Sequence, residues 1–262
     1  MSFITANVIA DSISNDGVRI TTLDCIYPRI PDHEQLLTHR AFSRNAKSSR
    51  AIRIERFIHE AMSNPVVPIE VRYDEKGMQG YTLLSQDDLQ WFIQKWLEAR
   101  DAMVDVAKQM AQRNIHKQTV NRLLQPFAHI ETIVTATEWD NFFTLRLEHD
   151  TQPEMAALAR AMKRAIDNSS PIASEHHLPL LSEDERDRED AFMVSGARCA
   201  RVSYCTHDKK KENYEEEVKF AKRLWSSGHL SPFEHPARAA VSSSNFFANF
   251  RGWASWRYYN GK

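Results

Sequence analysis

The longest patterned stretch of the chain, "SQDDLQWFIQKWLEARDAMVDVAKQMAQRN" at 85–114, dictates one long helix. Leu89, Phe92, Ile93, Trp96, Met103, Val104, Ala107 and Met110 recur at the helical period, which marks a face turned toward a core. Ser85 followed three residues later by Asp88 suits the N-terminus, where a hydroxyl can accept from a free backbone N–H. Such a stripe is packing, not a cofactor box. At 262 residues the chain has room to bury it within one large domain.

The rest reads as α/β with helix predominating. Strands are predicted at 17–26, 64–73, 196–205 and 129–137, the last being β-branched "HIETIVTAT". Helices are predicted at 32–42, at 117–126 with a stop at Pro126, at 138–150, and at 151–166 with Pro153 in the first turn. Another covers 213–229, with acids early, bases late and Gly228 past its end. The polar, proline-punctuated stretch 167–190 is read as a surface connection between halves 1–166 and 191–262 of a single catalytic domain.

Several function classes drop out. Glycine-rich phosphate loops of the GxGxxG and GxxxxGK[ST] types do not occur, and the apolar runs are too short to cross a bilayer. The N-terminal "MSFITANVIADSISNDG" has none of the parts of a secretory signal. Cys25, Cys199 and Cys205 form no CxxC pair and suit reduced thiols in a cytoplasmic protein. The neighbours His176 and His177 in "SEHHL" point different ways, so this stretch is read as a polar loop and not as a metal site.

"THRAFSRNAKSSRAIRIER", 38–56, holds five arginines and one lysine against one glutamate, in a chain of formal net charge −1. Its cations alternate with Ser43, Asn45, Ser48 and Ser49 instead of with acids. That pattern suits phosphate esters, which a guanidinium fork grips at two oxygens. Nucleic acid is the rival partner. The near-neutral charge and the absence of a second basic stripe argue against it.

The same stretch resembles the signature RHRxxSxNExSxRY of flavin-dependent thymidylate synthases. His39, Arg40, Ser43, Asn45, Ser48 and Arg50 match, while Thr38, Ala46 and Ala51 depart from it. "NRLLQP" is similar to the family's "ARxxLP" segment. "EWDNFFTLRLEHDTQPEM" is similar to "NFLxLRxxxxAQxEI", aligning Asn141, Leu145, Arg146, Gln152 and Glu154. "ARVSY" and "GHLSPFEH" match further segments, but here they follow the arginine signature, at 200–204 and 228–235, where the ordinary family has them first. The chain therefore looks like a circularly permuted or rearranged branch, an arrangement tolerated when the old ends lie close together.

The resemblance implies a helix-rich α/β fold around a central, mostly antiparallel sheet, in a homotetramer that holds FAD between subunits. It implies dUMP as substrate, methylenetetrahydrofolate as carbon donor and NADPH as reductant. Gln35, Ser48, Arg50, Arg122 and Arg146 would bind the nucleotide, with Arg50 and Arg122 at the phosphate and Arg146 at the uracil ring as the catalytic residue. His39, Arg40, Asn141, Leu145, Ser203, Ser231 and Glu234 would line the flavin site. Asp150 stands where the family often has a histidine, with His149 beside it. Because the departures fall in the signature, two alternatives stay open. One is a related flavin- and folate-dependent modification, such as hydroxymethylation of dUMP or methylation of a cytidine nucleotide. The other is a non-catalytic phosphate or nucleic-acid binder.

Overall fold

The computed structural model describes residues 3–29, 39, 41–77, 80–204 and 213–262. Its central sheet is built from β1 (Thr5–Ile13), β2 (Arg19–Pro28), β3 (Ser43–Ala46), β4 (His129–Ala136) and β5 (Ile172–Ala173), in the order β3-β4-β2-β1-β5. Every pairing is antiparallel except that of β1 with β5.

Alternation along β4 explains why the sheet is covered on both faces. Val134 joins Leu23, Cys25 and Tyr27 under helix α5 (Pro153–Asp167), which buries Met155, Leu158, Ala159, Met162 and Ile166. Its neighbour Ile133 points the other way, onto Cys199 and Val202 of α6 (Ala191–Tyr204). Each such aliphatic side chain contributes on the order of 1.5–3 kcal/mol when fully buried.

A second cluster lies beside the sheet. There α1 (Ile54–Ser63), α2 (Gln86–Gln112), α3 (Lys117–Val120) and a 3-10 run at Asn121–Phe127 share Ile52, Phe57, Val104, Ala107, Val120 and Leu124. Helix α4 (Asp140–Arg146) follows β4. Beyond α6 come α7 (Tyr214–Ser226) and a 3-10 turn at Ser231–Glu234. The small strands β6 (His176–His177), β7 (Ala237–Ala239) and β10 (Trp253–Ser255) pair in the order β10-β7-β6, and β8 (Phe246–Phe247) with β9 (Phe250–Arg251) forms a hairpin ahead of α8 (Trp256–Tyr259). No helix among the described residues is long and apolar enough to cross a membrane.

The long helix starts at Ser85, whose side chain accepts from the Asp88 N–H. Only Val104 and Ala107 of its stripe are fully buried, because α1 and the 3-10 run pack against its second half. Strand 64–73 does not form. Pro65 and Pro68 remove two donors, and side chains satisfy other backbone groups: Trp96 Nε1 donates to Val66 O at 2.7 Å and Ile69 N donates to Glu154 Oε1 at 2.8 Å. The stretch at 196–205 is helix up to Tyr204, not strand. Val194, Ala197, Ala200 and Val202 are buried around it, and Gly196 sits so close to Phe233 that a Cβ would lie 2.5 Å from that ring. Helix 117–126 splits into α3 and the 3-10 run, which carries Pro126 inside it. The N-terminal β1 carries no clean alternation and was not foreseen. Most of the helix expected at 32–42 lies outside the described residues.

The connection 167–190 is more than a surface loop. His177, Leu178 and Leu181 are buried, so "SEHHL" is not the polar loop its composition suggested. Arg198 of α6 grips Glu185 at two oxygens (2.6 and 2.7 Å), and Glu185 in turn closes a capping box with Ser182.

Candidate functional site

The signature strand β3 lies at the edge of the sheet and pairs Ser43 with Thr135 and Asn45 with Ile133. Pleating turns Ser43 and Asn45 inward, where both are buried. The chain then bends through a loop fastened from one side. Asn121 Nδ2 donates to Ser49 O (2.8 Å) and Ile52 O (3.1 Å), Gln125 Nε2 donates to Ser49 Oγ (3.0 Å), and Lys117 Nζ donates to Ala51 O (3.1 Å). Arg50 on this loop and Arg122 beside Asn121 are thus carried by segments bonded to each other. Both are exposed, and neither forms an ion pair with another described residue.

Motifs far apart in the chain meet at β3. Ser48 N donates to Ser203 O at 3.4 Å, joining the signature to "ARVSY". The Asn45 amide, oriented to satisfy its surroundings, donates to Arg44 O (3.0 Å), to Ser231 O (3.3 Å) and to His235 Nε2 (3.3 Å), joining it to "GHLSPFEH".

From Asn45 a file of buried polar side chains runs through the sheet. His235 Nδ1 lies 2.8 Å from Thr135 Oγ1, which lies 2.7 Å from Thr22 Oγ1. Thr22 Oγ1 is 2.7 Å from His177 Nε2, and His177 Nδ1 is 2.9 Å from Ser12 Oγ. With Asn45 donating, a neutral His235 donates from Nδ1, and every later member is satisfied when its proton points onward toward Ser12. Burial pushes both imidazoles down to about 3, so neither carries charge at neutral pH.

A third group converges at α4. Arg146 Nε donates to His39 Nε2 at 3.2 Å, while the His39 ring packs edge-on against Phe142 (centroids 4.9 Å) and lies 5.5 Å from the Phe42 ring. Burial first, then the nearby Arg146 and Arg44 charges, hold His39 below the ordinary histidine range. A neutral imidazole accepting from a guanidinium is the result. The terminal nitrogens of Arg146 have no partner among the described residues, so they can serve a carbonyl or an anion. Asn141 and Leu145 lie exposed on the same helix, and the hydroxyl of buried Thr151 donates to Leu145 O at 3.0 Å. His149 and Asp150 are exposed beyond its end. Gln35, Thr38, Arg40 and Cys205 lie outside the described residues.

Cys25 and Cys199 are fully buried, and burial pushes both thiols up, away from the reactive thiolate. Among the described residues no three His, Cys, Asp or Glu side chains are placed to share a metal ion.

Two sets of residues have partners at the site that the sequence did not show. One is the file of Ser12, Thr22, Thr135 and His177; threonines in a β-branched strand give no sign of being polar partners. The other is the C-terminal stretch, where Asn249 Nδ2 donates to Ser43 Oγ at 3.2 Å and Arg257 Nη1 pairs with Glu234. Its richness in arginine and tryptophan was the only signal.

Comparison with solved structures finds the fold again in a UMP/dUMP methylase, PolB from Streptomyces cacaoi. In its form bound with 5-Br UMP the TM-score is 0.54 at 17% identity, over 63% of this chain and 89% of that one. In its form bound with 5-Br dUMP the TM-score is 0.52 at 18% identity, over 63% and 90%. No curated protein matches the chain in sequence. The profile of a family described as thymidylate synthase complementing protein matches residues 30–172, a span holding the arginine signature, α4 and α5. "ARVSY" and "GHLSPFEH" fall after that span in sequence yet pack against its signature strand. The chain belongs to the thymidylate synthase complementing protein family.

Proposed function

We propose that the protein is an FAD-dependent enzyme that reductively methylates dUMP to dTMP, with methylenetetrahydrofolate giving the carbon and NADPH the electrons. The observation that carries this reading is the meeting of three motif blocks at β3, beside an Arg146–His39 pair whose guanidinium keeps donors to spare.

The donor set fits a nucleotide and a flavin. Arg50 and Arg122, which form no ion pair with another described residue, would meet a phosphate, and Ser48 and Gln35 would be further nucleotide contacts. Arg146 offers its remaining N–H groups to a pyrimidine carbonyl, where it would stabilise negative charge as it develops on the ring. Fixed charge of this kind is usually the largest single catalytic contribution. His39, Arg40, Asn141, Leu145, Ser203, Ser231 and Glu234 would hold the flavin, which when bound supplies hydride chemistry. Neutral His39 fixes the Arg146 fork without competing for the substrate's protons. Cys25 and Cys199 are buried with their thiols pushed up, which suits activation of the ring by Arg146 instead of by either of them.

The reading also makes the protein a homotetramer. Tyr81 (73% exposed), Trp91 (62%) and Leu83 (56%) lie along and before the first half of α2, and neighbouring subunits would cover them. The fold neighbour's own nucleotides, UMP and dUMP, favour a second reading in which a related pyrimidine nucleotide is the substrate.

The test is to load the protein with FAD and incubate it with NADPH, labelled methylenetetrahydrofolate and a panel of dUMP, UMP, dCMP and CMP, identifying products by mass. Labelled dTMP from dUMP is the expected result. Product from another nucleotide alone selects the second reading. A folded protein that takes up no FAD overturns both.

A further inference from the structure

The C-terminal stretch "NFRGWASWRYYNGK" lies beyond every matched motif, yet it is built onto two of them. Trp253 is fully buried and its Nε1 donates to Val18 O at 3.0 Å. Arg251 N donates to Thr137 Oγ1 at 2.9 Å, and its guanidinium pairs with Glu138. Gly252 has φ +67°, and a Cβ there would lie 2.9 Å from Val18 Cγ2, so only glycine lets the backbone come this close. Ahead of it the turn between β8 and β9 holds Ala248 at φ +56°, a conformation that L-residues rarely adopt. That turn delivers the Asn249 amide to Ser43.

Between the Asn249–Ser43 contact and the Arg257–Glu234 pair lies a cavity of about 220 Å³, lined by Ser43, Glu234, Asn249, Ser255, Arg257 and Lys262 among others. Two cations, one carboxylate and several hydroxyl and amide groups share this space. The volume is below the ~300 Å³ at which cavities begin to enclose a whole drug-sized ligand. It suits one end of a ligand whose remainder lies along the motif residues that form its wall.

The geometry points to an oxyanion subsite for a phosphate group of a bound nucleotide, with Arg257 and Lys262 as donors supplied by the C-terminal segment. Arg257 donates from Nε to Lys262 O at 3.2 Å and pairs through Nη1 with Glu234, so the N–H groups that remain on its fork are what it offers a phosphate. Glu234 holds that fork in place and competes with the incoming anion for it. The inference rests on the proposed function only in taking the ligand to be a nucleotide. The phosphate can belong to the flavin dinucleotide or, where Arg50 and Arg122 do not hold it, to the pyrimidine nucleotide.

The probe is inorganic pyrophosphate, titrated calorimetrically into the full chain and into Arg257→Gln, Lys262→Gln and Glu234→Gln variants. Arg257→Gln should weaken binding about tenfold or more, as loss of a charge-assisted contact does. Lys262→Gln should weaken it less, and Glu234→Gln should tighten it. Effects of opposite sign do not arise from general damage to the fold. Should Arg257→Gln fail to fold, the contrast between Lys262→Gln and Glu234→Gln makes the same test. Competition by FAD or by dUMP identifies whose phosphate occupies the site. Equal pyrophosphate affinity in all the folded proteins overturns the subsite, and if FAD still binds, the proposed function survives. Affinity that follows the variants in a protein taking neither FAD nor dUMP keeps the subsite and removes the function.

Discussion

Thr22 and Thr135 face each other on adjacent strands with their hydroxyl oxygens 2.7 Å apart; Thr135 accepts from fully buried His235, and Thr22 donates to fully buried His177. This contact ties the connection segment, through His177, to the signature strand, through His235 and Asn45. Replacing Thr135 with valine keeps the shape but strips partners from His235 and Thr22. Each buried group left unsatisfied costs about 1–3 kcal/mol. Urea unfolding should show a lower midpoint with an unchanged slope, while Thr135→Ser should stay near wild type. A valine variant as stable as the parent would mean that the file contributes nothing.

Acid should unfold the protein through the same file. His177 and His235 titrate near 3 when folded and near 6.5 when unfolded, so between those values the unfolded chain binds more protons. Stability is then complete above pH 6.5 and falls as pH drops, by about 1.4 kcal/mol per pH unit for each histidine. Denaturation midpoints measured from pH 7 to 4 should slope downward, and His177→Gln should flatten the slope. An unchanged slope in that variant would show that His177 ionises freely in the native state.

These contacts also mark where sequence reading stops. The long helix, β2, β4, α5 and α7 were legible because period and caps are local, and the motif blocks were legible because they are contiguous. Segment 196–205 failed for the opposite reason: its local pattern is too short to show a period, and the packing of Gly196, Ala197 and Ala200 against Phe233 that suits a helix is tertiary. The stripe of α2 had the right period but not the right depth, since what covers it is decided by α1 and the 3-10 run. His177 could not be told from loop because its partners, Ser12 and Thr22, lie more than 150 residues away. The motif blocks were readable from the sequence; the contacts that support them were not.

Arg146→Ala should separate binding from chemistry. If Arg146 stabilises developing charge on the pyrimidine, the variant should still take up flavin but lose turnover, with a barrier raised by about 3 kcal/mol or more. Removing the guanidinium also removes a charge that holds His39 down, so the His39 titration followed by NMR should move upward. Turnover like that of the parent would exclude the catalytic role. A fixed His39 titration would show that Arg146 does not sit against it in solution.

The Glu185–Arg198 pair should be a strong point of attachment for the connection segment. Their side chains are only 10% and 11% exposed, and Glu185 also caps Ser182. Removing one partner of such a pair typically costs about 3–5 kcal/mol, because the other charge stays buried alone. Glu185→Gln should therefore lower the unfolding midpoint far more than Lys163→Gln, which breaks an exposed pair with Asp167. Equal effects would show that the connection is held by its apolar residues alone.

Gly196→Ala sets two effects against each other. In an unconstrained helix the change should stabilise, by about 1 kcal/mol, because glycine is the poorer helix former. Here the added methyl would meet the Phe233 ring at 2.5 Å, and Phe233 is itself fully buried and packed edge-on against Trp225 at 5.0 Å. Overpacking of this kind costs about 1–3 kcal/mol. The close approach should prevail, so the variant should be less stable, and Phe233→Leu should recover part of the loss when the two are combined. A stabilised single variant would mean that α6 does not press on the "SPFEH" turn, and the junction between those two motifs would have to be drawn differently.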